Sequence, residues 1–283
     1  MNYRHGFHAG NFADVFKHAL LARVLVHLKK KDAAFRVLDT HAGAGAHDIG
    51  ADAAARTLEW EGGIGRLAQA RLPQPVADLL APYLGLVQAT FDSRPTIYPG
   101  SPLLAMKLSR PQDRLVFCEK HPDEARRLQA LTRRDQRVTV LPSDGWSALS
   151  TQLPPTERRG VVLIDPPFED PREFQTIVDG LKTAHRRWAT GIFVIWYPIK
   201  ARRPIEAFIR KIVGLDIPKI LRTEIGLYPV ERIDRLNGCG LLIVNPPWQL
   251  DSEWSLIGPC LADLMAVEGS GWCRTDWISP EES

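Results

Sequence analysis

The sequence predicts an α/β fold: a doubly wound, mostly parallel sheet of seven strands with helices on both faces. Three observations predict it. Short apolar runs alternate with amphipathic segments from residue 35 onward, the pattern of parallel strands joined by crossover helices. Successive runs end in a glycine turn or an acid, which places ligand-type residues at one edge of the sheet. The last two runs, 220–227 and 240–245, have no helical stretch between them and must pair as an antiparallel hairpin, so the last strand is antiparallel.

The first element is a helix over 11–31. Asn11 caps it, with Asp14 three residues on, and Phe16, Leu20, Val24 and Leu28 repeat along one buried stripe. Lys29, Lys30 and Lys31 suit the negative carboxyl end of the helix dipole. Residues 35–39 form the first strand, closed by a Gly-rich turn at Gly43-Ala44-Gly45. Residues 48–98 interrupt the alternation with two apolar-periodic stretches, 54–70 and 75–91, split by Pro73 and Pro75. They read as a helical subdomain inserted into one domain spanning 1–283. A helix then runs to about Ser109, with Ser101 as its cap and Pro102 in its first position. Strands at 115–119, 138–141, 160–165 and 192–197 alternate with helices at 122–134, 171–188 and 204–213. The hairpin follows, and a helix over 249–266 closes the chain.

Composition sets bounds. No apolar run approaches the roughly 18–20 residues of a membrane span, and Met1 to His8 carries no hydrophobic signal region. Cys118, Cys239, Cys260 and Cys273 are scattered, as expected of reduced thiols in a cytoplasmic protein. The histidines show no metal-ligand spacing, so no metal is expected. The net charge is only +3, but residues 1–31 carry six Lys or Arg against Asp14 alone, and residues 249–283 carry seven acids against Arg274 alone. The basic amino-terminal part suits a phosphate-bearing partner. Arg pairs recur at 133–134, 158–159, 186–187 and 202–203; singly, each reads as solvated surface.

The most informative motif is Asp165-Pro166-Pro167-Phe168, directly after Val161-Val162-Leu163-Ile164. An apolar run ending in a Pro turn reads as a buried parallel strand that opens at the carboxyl edge of the sheet. The chemistry it suits is methylation of an exocyclic amine on a planar ring. Asp165 accepts one amine hydrogen, the carbonyl of Pro166 or Pro167 accepts the other, and Phe168 stacks on the ring. The alternative is a Pro-rich strand-to-helix turn. The turn Asp39 to Gly45 lacks the third glycine of a dinucleotide fingerprint, since position 48 is Asp, and lacks the Gly-Lys-Ser/Thr of a phosphate loop. With Glu119, Asp144 and Asp165 ending the next three strands, however, a glycine turn, a ribose-type acid and two further acids meet in order. A ligand with an adenine, a ribose and a methyl donor fits that series: S-adenosylmethionine.

The chain resembles the bacterial ribosomal RNA large-subunit methyltransferase J family over nearly its whole length. The residues that carry the likeness are Tyr3-Arg4-His5, Phe7-His8-Ala9-Gly10-Asn11, Ala13-Asp14-Val15, Lys17-His18, Leu38 to Gly45, Tyr98 to Pro102, Leu163 to Pro167, Ala189 to Ile192, Trp196-Tyr197-Pro198 and Asn245 to Trp248. The resemblance implies a Rossmann-like methyltransferase fold with a small helical insertion. It also implies methylation of N6 of one adenine in 23S ribosomal RNA, with S-adenosylmethionine as methyl donor. It assigns His18, His41, Ser101, Glu119, Asp144 and Gly145 to the cofactor, Asp165 to catalysis, and Tyr3, His5 and Lys17 to the substrate side, beside Pro166 and Phe168. The family often has Tyr where this chain has Phe168; the stacking face is kept and a hydroxyl is lost. A monomer is expected. Two further readings compete: a DNA adenine-N6 methyltransferase, which shares the Asp-Pro-Pro-aromatic loop, and a non-catalytic RNA-binding protein on the same fold. The lack of a second domain for reading duplex sequence argues against the first, and the intact acid series against the second.

Asn245-Pro246-Pro247-Trp248, after Leu241-Leu242-Ile243-Val244, is a second loop compatible with amine methylation. Its strand follows its neighbour by a hairpin, so its carboxyl end is expected at the opposite edge of the sheet, in a structural role.

Overall fold

A computed structural model describes residues 8–50, 58–91, 96–228, 235–269 and 271–280. Its main sheet has eight strands: β1 Arg36–Asp39, β4 Arg114–Cys118, β5 Val138–Leu141, β6 Gly160–Ile164, β7 Ile192–Ile199, β8 Ile220–Gly226, β9 Gly238–Val244 and β10 Trp272–Ser279. The two remaining strands, β2 Ala46–Asp48 and β3 Ile97–Pro99, form a separate antiparallel pair. The sheet order is β10-β8-β9-β7-β6-β1-β4-β5. β5, β4, β1, β6 and β7 are mutually parallel, while β9 is antiparallel to both β7 and β8. The doubly wound class and the antiparallel β8–β9 pair are as expected from the sequence.

β10 is the difference: an eighth strand that pairs antiparallel with β8 at the sheet edge. Its sequence, Trp-Cys-Arg-Thr-Asp-Trp-Ile-Ser, mixes polar and apolar residues on both faces; none is fully buried, and Arg274 and Trp277 are exposed. An edge strand needs no continuous apolar run, so the pattern carried no strand signal.

Side-chain alternation along the strands divides the core in two. Val37, Leu115, Phe117, Val161 and Leu163 face helix α1 (Phe12–Lys29) together with the helices Gln74–Phe91, Ser101–Leu108 and Leu250–Met265. Leu38, Val116, Val162 and Ile164 face Gly145–Thr151, Glu173–Arg187 and Arg202–Val213.

α1 is not a helix with one buried stripe. Nearly every residue from Phe12 to Leu28 is buried, charged ones included. Helix Gln74–Phe91 packs Val76, Leu80, Tyr83 and Val87 into the same core as α1. The β2–β3 pair joins the two ends of the 48–98 segment, with Ala46 opposite Pro99 and Asp48 opposite Ile97. Within that segment a π-helical run, Glu61–Gly65, passes directly into the short helix Arg66–Gln69. Ile64 donates its N–H to Gly10 O at 2.9 Å, and a Cβ on Gly63 would lie 2.3 Å from that same oxygen, so only glycine allows this approach.

Two local expectations are corrected. Asn11 caps α1 by accepting from the N–H of Ala13 and Asp14, but Asp14 does not reciprocate at the cap; it accepts from Gly10 N and Lys17. Ser101 is the first helical residue after Gly100, not a cap, because its hydroxyl is bound to Asp39. Two of the basic residues of α1 turn inward, while Lys30 and Lys31 at its end are exposed. Lys17 and Arg23 are buried, Arg23 grips Glu253 through two nitrogens at 2.8 and 2.9 Å, and His27 reaches the same carboxylate at 3.0 Å. One acid of the carboxyl-terminal stretch, Glu253, thus meets two basic residues of the amino-terminal one.

Candidate active site

One cleft of about 970 Å³ opens at the carboxyl edge of the parallel strands. It is lined by Lys17, His18, His41, Ser101, Glu119, Asp144, Gly145, Asp165, Pro166 and Phe168, so the fold brings together every anticipated site residue that lies among the described ones. Tyr3 and His5 lie outside the described residues.

The cleft is built strand by strand. After β1, Gly43 takes φ +61° and Gly45 φ +79°, the left-handed region that glycine enters without penalty. The turn folds back so that Gly43 N–H donates to Glu119 at 2.8 Å. The other Glu119 oxygen accepts from His121 N–H at 2.6 Å. A carboxylate has about four lone-pair sites, so the acid is oriented by these bonds and keeps acceptor capacity. After β5, Asp144 caps helix Gly145–Thr151 through Trp146 N–H at 3.0 Å and accepts from Lys120 at 3.0 Å. Burial raises the Asp144 carboxyl, but Lys120 and the Trp146 N–H outweigh it and hold it below the ordinary value. Gly145 is required sterically: a Cβ there would sit 1.8 Å from Thr40 O.

His41 has a defined tautomer. Thr40 Oγ1 donates to Leu163 O at 2.9 Å, so it accepts from His41 Nδ1–H at 2.8 Å. Nε2 is then left as an acceptor. Burial pushes the imidazole down to about 4, so it is neutral at physiological pH. Its ring meets Trp146 edge to face at 5.3 Å. Behind this turn Asp39, fully enclosed, accepts from Ser101 Oγ at 2.6 Å and His41 N–H at 3.2 Å. Burial lifts its carboxyl to about 6, against the lowering effect of those two bonds.

Asp165 follows β6 at the centre of the edge. Its carboxylate is paired with the Lys17 ammonium, which also contacts Asp14 at 3.0 Å. Lys17 is only 4% exposed. Burial alone would lower its ammonium, but the two carboxylates hold it well above the usual lysine value. Lys17 is thus placed under the carboxylate rather than on a surface. His18 is buried too, with Nδ1 2.7 Å from Tyr98 OH, which lies 3.0 Å from Tyr83 OH. Phe168 has φ +52°, which turns its ring between Phe174 (5.1 Å) and Trp196 (5.6 Å).

The cleft holds residues that motif reading passed over. Asp14 was read as a cap partner, and Trp146 carried no assigned role. Glu59, from the 48–98 segment, accepts from Asn11 Nδ2 and contacts His8 Nδ1, both at 3.0 Å. Trp196, Lys200 and Tyr228 enter from β7 and β8. Their signal was weak: Trp196 sits in a strand that also carries Phe193 and Tyr197, and Lys200 simply follows it.

The second loop lies elsewhere. Asn245 Nδ2 donates to Ala189 O and Gly191 O, both at 2.8 Å, where the chain enters β7. Trp248 is 84% exposed. The described cysteines are all free thiols. Among the described residues no helix is long and apolar enough to cross a membrane, and no group of three or more His, Cys, Asp or Glu could hold a metal ion.

The family model described as "Ribosomal RNA large subunit methyltransferase D, RlmJ" matches residues 32–279. The chain is 39% identical over 283 residues to "Ribosomal RNA large subunit methyltransferase J" of Escherichia coli (strain K12), covering 99% of this chain and 100% of the relative. It is 36% identical over 282 residues to the protein of the same name in Haemophilus influenzae, with the same coverage. A crystal structure of a Legionella pneumophila protein superposes with TM-score 0.86 at 36% identity, covering 95% of this chain and 98% of that one. A probable spermidine synthase from Corynebacterium glutamicum, at 14% identity and TM-score 0.50, shares the fold alone; it covers 96% of this chain and 77% of its own. With a family match over most of the chain and full-length relatives well above 30% identity, the chain belongs to the ribosomal RNA large subunit methyltransferase J family.

Proposed function

We propose that this cleft binds S-adenosylmethionine and methylates N6 of one adenine in 23S ribosomal RNA in the cytoplasm, the protein acting as a monomer. The observation that carries the reading is the position of Asp165-Pro166-Pro167-Phe168. It follows a parallel strand at the centre of the carboxyl edge and shares one cleft with Gly43, Glu119 and Asp144. The same loop on a strand running the other way would carry no such reading.

The residues suit the cofactor. A Cβ built on Gly43 meets nothing within 4 Å, so the backbone there faces open space. Glu119 stands beside it for ribose hydroxyls. Asp144 has acceptor capacity for an adenine amine, and Ser101, His18 and His41 complete the lining, His41 through its Nε2 lone pair. When bound, the cofactor supplies an electrophilic methyl group.

The chain's own residues prepare the nitrogen. Leaving the RNA stack costs the target adenine a few kcal/mol, and stacking on Phe168 returns about 1–3 kcal/mol. Phe168 is held for this by Phe174 and Trp196. Asp165 accepts one amine hydrogen and Pro166 O the other, which draws the nitrogen lone pair out of conjugation. Lys17, anchored by Asp14, keeps the Asp165 carboxylate in place. A charged hydrogen bond of this kind contributes roughly 1.5–3 kcal/mol, and correct aim toward the methyl adds more. The 48–98 segment, closed at its neck by β2 and β3, acts as an inserted helical subdomain that walls the cleft with Glu59.

The test is nucleoside mass spectrometry of 23S RNA from cells with and without the gene, together with labelled methyl transfer to RNA and to DNA by the purified protein. Loss of one N6-methyladenine from 23S RNA, and transfer to RNA alone, is expected. Transfer to DNA would install the DNA reading, and transfer to neither would support the binding-protein reading.

A further inference from the structure

The two ends of the cleft differ in charge. On the side of β4 and β5, Glu119, Glu124 and Asp144 line it with a single lysine, Lys120, which is paired to Asp144 at 3.0 Å; Glu169 and Asp170 from the loop after β6 and Glu173 at the start of helix Glu173–Arg187 join them. A phosphate chain is repelled there. On the side of β7 and β8 the lining changes to Lys200, Arg235 and Tyr228.

These residues are tied into one lip. Asn237 N–H donates to Ile199 O at 2.9 Å, and its side-chain amide donates to Lys200 O at 2.6 Å, so the end of β7 is bound to the start of the next segment. Arg235 lies over Tyr228, its guanidinium 5.7 Å from the ring centroid. Lys200 and Arg235 are both exposed. Trp196 and Pro198, four and two residues before Lys200 on β7, line the same wall of the cleft, as the period of a strand requires. The wall therefore runs from the aromatic contact of Phe168, at the chemistry, to two exposed cations at the rim.

We infer that this lip is the track for the RNA backbone next to the target nucleotide: Lys200 and Arg235 contact phosphodiesters flanking the extruded adenine, and the buried Tyr228 ring supports Arg235 from below. The inference rests on the RNA substrate proposed above. Exposed cations at the mouth of a groove whose inner wall carries aromatics, here Trp196 and Phe168, suit single-stranded nucleic acid, with cations for the phosphates and stacking for the extruded base. The acidic opposite side gives the strand one direction of approach.

The experiment uses Lys200→Gln, Arg235→Gln and their double variant, with Lys182→Gln, an exposed lysine on helix Glu173–Arg187 outside the cleft lining, as the charge control. Binding of in vitro transcribed 23S RNA is measured by filter retention between about 50 and 200 mM KCl, and a lost phosphate contact lowers the salt slope by about 0.7 for single-stranded RNA. The double variant is expected to lower that slope by roughly 1.4 and to raise KM for RNA about tenfold. S-adenosylmethionine affinity and melting temperature should match the wild type, and Lys182→Gln should match it in every assay. An unchanged slope and KM in a folded double variant would overturn the lip. A wild type that binds RNA without methylating it would instead remove the proposed function, because the binding slopes read the contact without turnover.

Discussion

Asp165-Pro166-Pro167-Phe168 and Asn245-Pro246-Pro247-Trp248 are the same device in two places. Each follows a fully buried apolar strand, and each uses a residue in the left-handed region, Phe168 at φ +52° and Asn245 at φ +52°. They differ in what the first side chain meets. Asp165 faces a cleft and a buried ammonium; Asn245 spends both amide hydrogens on the carbonyls of Ala189 and Gly191. The cause is strand direction. β6 is parallel to its neighbours and β9 is antiparallel to β7, so one loop emerges at the ligand edge and the other at the far edge. The comparison teaches that a motif of this kind acquires chemistry from the strand that carries it.

Breaking the first loop should have the largest effect. Asp165→Ala should reduce kcat by at least about 100-fold, the value of a lost charged hydrogen bond plus lost aim. Cofactor affinity by calorimetry should stay within a few-fold. Near-normal turnover of a folded variant would reverse the assignment of the two loops. Glu119→Ala tests whether the edge that holds Asp165 is the cofactor edge. Affinity for S-adenosylmethionine should fall roughly 10- to 100-fold through loss of a doubly used charged acceptor, and unchanged affinity would place the ribose elsewhere.

Asn245→Ala should break the second loop without touching chemistry. Two carbonyls lose their donors and alanine must enter the left-handed region, so stability in urea should fall by about 1–3 kcal/mol, while the folded fraction keeps its turnover. Loss of turnover with normal melting and normal cofactor binding would mean that the wrong loop had been chosen.

Asp39 offers a pH test at the ligand edge. Its folded carboxyl is raised from 3.8 to about 6. The native state therefore binds more protons than the unfolded chain between those values, and this group's contribution to stability declines as pH rises from about 4 through about 6. Asp39→Asn does not titrate. Its melting-temperature deficit against the wild type should thus be larger at pH 5 than at pH 7; a deficit that grows with pH would contradict the burial argument. The smallest effect is expected at the far loop's tip. Trp248→Ala should change stability by less than about 0.5 kcal/mol, as for other exposed side chains, and leave methyl transfer unaltered.

Much of this was legible in the linear chain because it depends on local order. Alternating apolar runs and helices define a doubly wound sheet, and in such a sheet the residue after each parallel strand must reach the same edge. Gly43, Glu119, Asp144 and Asp165 could be placed together with no knowledge of contacts, and the hairpin rule alone sent Asn245 to the other side. What needed the tertiary structure was everything set by partners distant in sequence. Lys17 reads as a surface cation on an amphipathic helix, yet it is enclosed in the cleft against the end of β6, and the buried ammonium then requires Asp14 and Asp165 as neighbours. Arg23 and Glu253, 230 positions apart, pair across what looked like separate basic and acidic regions. Ser101 exchanges a capping role for Asp39, and β10 is a strand only because β8 offers it an unpaired edge. Periodicity reports which face of an element is apolar; it does not report how many faces the rest of the chain will cover, and that decided where the charges of this protein could go.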